Sequence, residues 1–284
     1  MSGIVFAAVL LAALLHATWN ALLKGGADKD VSMAAIVIGH VPLAILALPL
    51  VPLPAIEALP WLVAGVLLHL GYQLFLIAGY RIGDLTQVYP IARGVAPLIV
   101  ALVSTTVLGV VLGRAELVAV GLIAIGIVSL ALVGREDRAW NPRAVGFALA
   151  TGCFIAAYSI VDGLGARVAG SALSYWVWAA LGNAGLFTLW TMVVRPGVLS
   201  RTLDRPVMIV GIVGGSASFI AYALVVWAFT SAPIALVTAL RETSIVFALL
   251  IGVGVLGERL SLGKVAATAM TVLGVVLLRL SRAT

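Results

Sequence analysis

Ten times along this chain of 284 residues, an apolar run of about twenty residues ends in a short polar or Gly/Pro-rich break, and that alternation leaves few folds open. A run of that length is what an α-helix needs to cross a bilayer, roughly 20 residues. The runs lie near 4–23, 31–51, 60–79, 85–108, 115–134, 144–163, 171–194, 207–229, 233–256 and 263–281. With 63% hydrophobic and only 10% charged residues, the chain lacks the polar surface of a soluble domain. The expected fold class is an all-α polytopic membrane protein with ten transmembrane helices. The first run follows only Met1-Ser2-Gly3, without the basic n-region of a signal peptide, and is too long for a cleaved one, so it is expected to be a retained helix.

Two of the runs contain an arginine. Arg93 lies in Tyr89-Pro90-Ile91-Ala92-Arg93-Gly94-Val95-Ala96-Pro97, and 148 residues later Arg241 lies in Leu240-Arg241-Glu242-Thr243-Ser244. A charge at mid-bilayer costs about 2.5–3.5 kcal/mol on insertion scales, so such residues face a bundle interior or a watery path. Sliding residues 85–134 onto 233–282 pairs Arg93 with Arg241, Val107-Leu108-Gly109 with Val255-Leu256-Gly257, and Gly126 with Gly274. This is an internal repeat. The polar stretch 135–143 divides five spans from five. Because five is odd, the second half enters the membrane from the opposite side, giving two inverted five-helix repeats over 1–134 and 144–284. A site at mid-membrane between such repeats is a recurrent transporter design.

Four further segments carry a family likeness: Ala-Leu-Leu-His-Ala-Thr-Trp-Asn-Ala-Leu-Leu-Lys over 13–24, Gly79-Tyr80-Arg81-Ile82-Gly83-Asp84, Ala157-Tyr158-Ser159-Ile160-Val161-Asp162-Gly163, and Leu256-Gly257-Glu258-Arg259-Leu260. Over nearly its whole length the chain resembles the EamA-type branch of the drug/metabolite transporter (DMT) superfamily. The resemblance implies ten helices in two inverted repeats, with substrate held centrally between the first four helices of each half. Val110 stands where the repeat would place the counterpart of Glu258, so that acidic cap is read as structural.

Arg93 and Arg241 are the first candidates for binding. Each sits eight residues into its span, about 12 Å deep at 1.5 Å per residue, and a guanidinium is the preferred fork for carboxylate, phosphate or phosphonate. The competing reading is that each is neutralised internally, for instance by Glu242, and only holds the bundle together. Distant members of the superfamily that move phosphorylated metabolites are similar in using basic residues on the fourth and ninth helices. Glu242 follows Arg241 directly; on a continuous helix the two diverge by about 100° and make a poor pair, so an ammonium group, Arg93 or a coupled proton is expected to meet Glu242 instead.

All three histidines fall in the first three spans. His16 with Asn20, and His69 with Gln73, are four apart and share a helix face, so each pair can line a cavity or simply bond between helices. His40, flanked by Gly39 and Pro42, is expected to bond between helices. Trp19 and Tyr158 occupy corresponding places in the two halves, each followed by a small polar residue, and are expected on the cavity wall with Tyr89 as a further candidate. The other membrane aromatics read as packing or interface anchors. Pro90, Pro97 and Pro233 are possible hinges, as are Pro42 and Pro49.

No cofactor or metal is expected. The histidine pairs lack a carboxylate at ligand spacing, and the single cysteine, Cys153, is in the other half. Gly252-Val253-Gly254-Val255-Leu256-Gly257 fits a dinucleotide pattern but closes an apolar helix, while Gly214-Gly215-Ser216-Ala217-Ser218 lacks the last glycine of a nucleophile elbow. Nothing reads as an enzyme. The expectation is a secondary transporter, exporting a small anionic or zwitterionic metabolite such as an amino acid, organic acid or phosphonate-like solute by alternating access. Its partners are that substrate, the lipid bilayer and coupled protons, with no nucleic acid and no required oligomer. Efflux of a cationic or amphipathic compound anchored on Glu242 is the alternative; a non-transporting intramembrane scaffold or enzyme is the alternative from another class. The formal charge of +6 arises mostly in short loops. Lys24, Lys29, Arg81, Arg135, Arg138, Arg143, Arg195, Arg201, Arg205, Arg259 and Lys264 fall on one side, and Arg114, Arg167, Arg279 and Arg282 on the side of the termini. That asymmetry predicts termini facing away from the cytoplasm, whereas the resemblance implies termini inside. In either case the expected location is a bacterial-type cytoplasmic (inner) membrane.

Overall fold

The structure, a computed structural model, describes all residues except Ala27, Asp84, 134–140, 255–260 and 282–284. Most of the connecting stretch 135–143, the 256–260 signature, Asp84 and Arg282 therefore lie outside the described residues. The described chain is helical, and its helix starts follow local chemistry. Ser2 caps α1 (Gly3–Gly25), Asp28 caps α2 (Lys29–Ile38), and Asn141 with Pro142 at the first position starts α7 (Pro142–Val168). Ser171 caps α8 (Ala172–Val194), and Ser261 caps α13 (Leu262–Leu280). Each cap oxygen accepts from a backbone N–H that the first helical turn leaves open. The remaining elements are α3 (Val41–Ala47), α4 (Leu59–Ile82), α5 (Leu85–Thr106), α6 (Arg114–Val133), the short α9 (Val198–Arg201), α10 (Arg205–Ser231), α11 (Ile234–Arg241) and α12 (Ser244–Gly254).

Among the described residues, nine segments are long and apolar enough to cross a membrane; α6, of 20 residues, is the fifth of the ten expected segments. Two segments are broken. The second parts at Gly39-His40, just before Pro42, whose missing N–H cannot continue the ladder. The ninth parts at Glu242-Thr243 with no proline nearby, whereas α5 runs unbroken through Pro90 and Pro97. The sequence placed the hinges at prolines; the ninth segment bends elsewhere.

Packing follows an exchange between halves. α1 lies against α10 and α12, and correspondingly α7 lies against α4 and α5; α2 meets α10 as α8 meets α4. α6 and α13 pack on each other, and there the 148-residue offset recurs in the contacts. A Cβ on Gly126 would strike Ala267 O and Thr271, and a Cβ on Gly274 would strike Ala119 O and Ile123. Those contacts map onto each other under the 148-residue offset. Small residues are what allow membrane helices this close, and the pattern is consistent with the expected pair of five-helix repeats.

The surface is the reverse of a soluble protein's. Leu67, Leu102, Ile125, Leu189, Ile212 and Leu273 point outward, while Arg93, Arg241, Glu242 and Asp162 are buried. Lipid makes such an exterior favourable, and with no water in the hydrocarbon the charges must find partners inside.

Candidate functional site

The break in the ninth segment creates the central cluster. α11 stops at Arg241, and the turn that follows is tightened by Thr243 N–H to Leu240 O and Ile245 N–H to Glu242 O. Released from a continuous helix, Glu242 curls back on its own neighbour. Arg241 Nε and Nη2 donate to Glu242 Oε1 at 3.0 and 2.8 Å, and Arg93 Nη1 donates to Oε2 at 3.0 Å. The expectation that Arg241 and Glu242 make a poor pair is thus corrected: it assumed a helix that the turn interrupts. One carboxylate is shared by two guanidiniums, and all three side chains are at most 2% exposed. Arg241 Nη2 also approaches Ser159 Oγ at 3.4 Å. Among the described residues, Arg93 Nη2 and Arg241 Nη1 are buried without a hydrogen-bond partner.

A second cluster surrounds Asp162 on α7, which is fully buried. Tyr175 OH donates to Oδ1 at 3.0 Å, Tyr222 OH donates to Oδ2 at 2.7 Å, and His69 Nε2 lies 2.8 Å from the same Oδ2. Donors thus come from α8, α10 and α4. The two clusters share an aromatic layer. The His69 ring stacks on Tyr158 with centroids 4.2 Å apart, and the Arg241 guanidinium lies 5.7 Å from the Tyr158 centroid and 5.8 Å from that of Tyr222. Arg93 sits 5.1 Å from the Tyr89 ring.

Beside this layer lies a cavity of about 40 Å³, room for two or three waters. His16, Trp19, His69, Gln73 and Tyr158, all candidates from sequence, line it. Arg93, Arg241, Glu242, Tyr89 and Asn20 do not; Asn20 Nδ2 donates to His16 O instead. Tyr158 and Tyr222 are both cavity walls and the rings beneath Arg241. His40 also departs from expectation: it lines the cavity, packs edge-on to Trp176, and neither ring nitrogen has a hydrogen-bond partner among the described residues. The break at Gly39-His40 frees its ring from the packed helix face. Gln73 and Asn183 exchange reciprocal amide bonds of 2.8 and 3.2 Å across the two halves.

Sequence reasoning gave no binding role to Asp162, Tyr175, Tyr222, Trp176 or Asn183. A signal for Asp162 was present, since a lone acid in an apolar run is by default functional; for the aromatics, which resemble interface anchors, there was none. The two halves are also joined by exposed pairs at the end where α1 closes and α2 opens. Arg201 donates to Asp28 at 2.6 Å, and Arg195 lies 4.0 Å from Asp30, which also accepts from Arg81 of its own half. Beneath them is an open pocket of about 430 Å³.

Residues 142–280 match the EamA-like transporter family. The match lies in the second half of the chain. That family is one of membrane transporters, in keeping with the many apolar helices long enough to span a bilayer. A solved structure titled only "Crystal structure of protein" superposes with a TM-score of 0.75 at 18% identity, covering 98% of this chain and 96% of its own; this likeness concerns the fold alone. No curated protein matches the chain.

Proposed function

We propose that this chain is a secondary transporter, working as an exporter in a bacterial-type cytoplasmic membrane, for a small anionic or zwitterionic metabolite such as an amino acid, organic acid or phosphonate-like solute. Its two halves, 1–134 and 144–284, rock about the central clusters in alternating access, without a cofactor or an obligatory oligomer. The observation that carries the reading is the under-neutralised triad: two guanidiniums share Glu242 while one N–H group of each stays buried without an acceptor. An unmet buried donor costs about 1–3 kcal/mol, and an entering oxyanion relieves two at once. The aromatic layer and the small cavity describe a closed arrangement, in which Tyr158 and Tyr222 must move before a solute reaches the arginines.

Proteoliposomes loaded with radiolabelled L-alanine, L-malate or methylphosphonate test the reading. Transport of at least one is expected, falling more than about tenfold in Arg93→Ala and Arg241→Ala although both variants remain extractable and folded. Undiminished transport in either variant sinks the anion clamp. A second reading, efflux of an organic cation, is favoured by the aromatic cavity wall; tetramethylammonium transport that ignores both arginine substitutions selects it. The basic asymmetry of the loops further proposes that both termini face away from the cytoplasm. A reporter that fluoresces only in the cytoplasm, fused after Thr284, is expected to stay dark, and a bright signal reverses the orientation.

A further inference from the structure

The charges buried in the two clusters balance. Arg93 and Arg241 are matched by Glu242 and Asp162 when the nearby imidazoles are neutral, so a monoanion entering at the arginines leaves one negative charge in excess within a low-dielectric interior. Such an excess is strongly disfavoured unless a cation arrives with it. We propose that the proton is that cation and that the His69–Asp162 pair carries it, one proton for each negative charge bound at the arginines; the inference rests on the anion reading above.

The geometry selects His69. Three histidines line the cavity, but His69 is the one held 2.8 Å from a carboxylate, so a proton taken there is neutralised in contact. His40 on α2 has no partner at either ring nitrogen, and His16 on α1 shares its end of the cavity with Trp19. The rings packed against His69 are Tyr158 on α7, Trp176 on α8 and Tyr222 on α10, and His40 of α2 is a second titratable group that interacts with it across the cavity. Arg241 of α11 lies beyond the Tyr158 and Tyr222 rings, and Arg93 of α5 beyond Arg241's shared carboxylate.

With Nε2 facing Asp162, the other nitrogen, Nδ1, accepts a proton from a cavity water and becomes imidazolium; release returns that proton to water. Glu242 is the poorer carrier because both of its oxygens are already taken by guanidiniums. Coupling runs through shared parts. Tyr158 is stacked by His69 and also approached by Arg241, and Tyr222 donates to the same Asp162 oxygen that His69 contacts. An anion that draws Arg241 from these rings changes the environment of the imidazole directly.

Nitrogen-15 histidine NMR of the full chain in nanodiscs tests this, since only three ring signals exist and His→Gln variants assign them. Lowering the pH from about 8 to 5, the range in which histidines usually titrate, should convert His69 to imidazolium. Asp162→Asn should demand about tenfold more protons for the same conversion, while His16→Gln and His40→Gln leave it within about twofold. Adding methylphosphonate at fixed pH should raise the imidazolium fraction of His69, and Arg241→Ala should abolish that rise. A His69 signal neutral down to pH 5 overturns the proposal, as does an Asp162→Asn protein with unchanged titration. Should Asp162→Asn not fold, the variant-free titration and the methylphosphonate response decide: absence of both overturns it. A His69 that titrates in a protein whose arginine variants transport normally leaves the proton site standing and removes the anion reading.

Discussion

The two buried carboxylates are a natural experiment. Glu242 is met by two cations, Arg93 and Arg241, and is walled from the cavity by aromatic rings; Asp162 is met by neutral groups, two tyrosine hydroxyls and an imidazole that itself faces the cavity. Charge holds the first cluster together, and hydrogen bonding holds the second. On the proposed reading, the acid paired with guanidiniums serves as architecture and as a frame for another anion. One paired with uncharged donors leaves its partner imidazole free to gain a charge.

The largest effect should come from cutting the shared carboxylate. Glu242→Gln leaves two guanidiniums facing each other in an apolar interior, and losing one partner of a buried ionic group typically costs about 3–5 kcal/mol. Thermal unfolding in detergent should register a severe loss, larger than for either arginine-to-alanine variant, because each of those still leaves a matched pair. Equal loss in all three would erase the distinction drawn here. Asp162→Asn, which keeps one of the two accepting oxygens but sets an NH2 group against the donors on the other side, should fall lower, at about 1–3 kcal/mol.

Tyr222→Phe sharpens the comparison further. It deletes one of three donors to Asp162 yet keeps the ring beneath Arg241, so about 1 kcal/mol of stability is expected to go, with the arginine cluster undisturbed. A loss as large as that of Glu242→Gln would mean that the clusters form one unit.

The smallest effect belongs to the exposed end. Arg201→Ala should cost under about 1 kcal/mol, as surface pairs do. Partial burial raises the Asp28 carboxyl, but the hydrogen bonds from Arg201 and from the N–H groups of Val31 and Asp30 outweigh it and hold the group below its ordinary value. Asp28 therefore adds stability above that ordinary value of 3.8, which is lost as the pH falls through the lower folded-state value. The acid limb of a stability–pH profile should flatten in Arg201→Ala, and an unchanged limb would assign it to other groups.

What the sequence determined by itself was everything that depends on local period and composition. Runs of twenty apolar residues point to membrane helices, and an arginine recurring at a 148-residue offset with Gly126 and Gly274 points to a repeat, because these readings use length, desolvation and register alone. It could also point to His16, Trp19, His69, Gln73 and Tyr158 as cavity residues, since each shows a polar group on an apolar helix. Tertiary structure alone decided the partners. Glu242 meets Arg241 only because the helix breaks at a turn that no proline announces, and Asp162 gathers Tyr175, Tyr222 and His69 from helices 13, 60 and 93 residues away. Helical periodicity fixes which face a side chain leaves from; which other helix receives it depends on how ten helices cross, and that is set by their packing together.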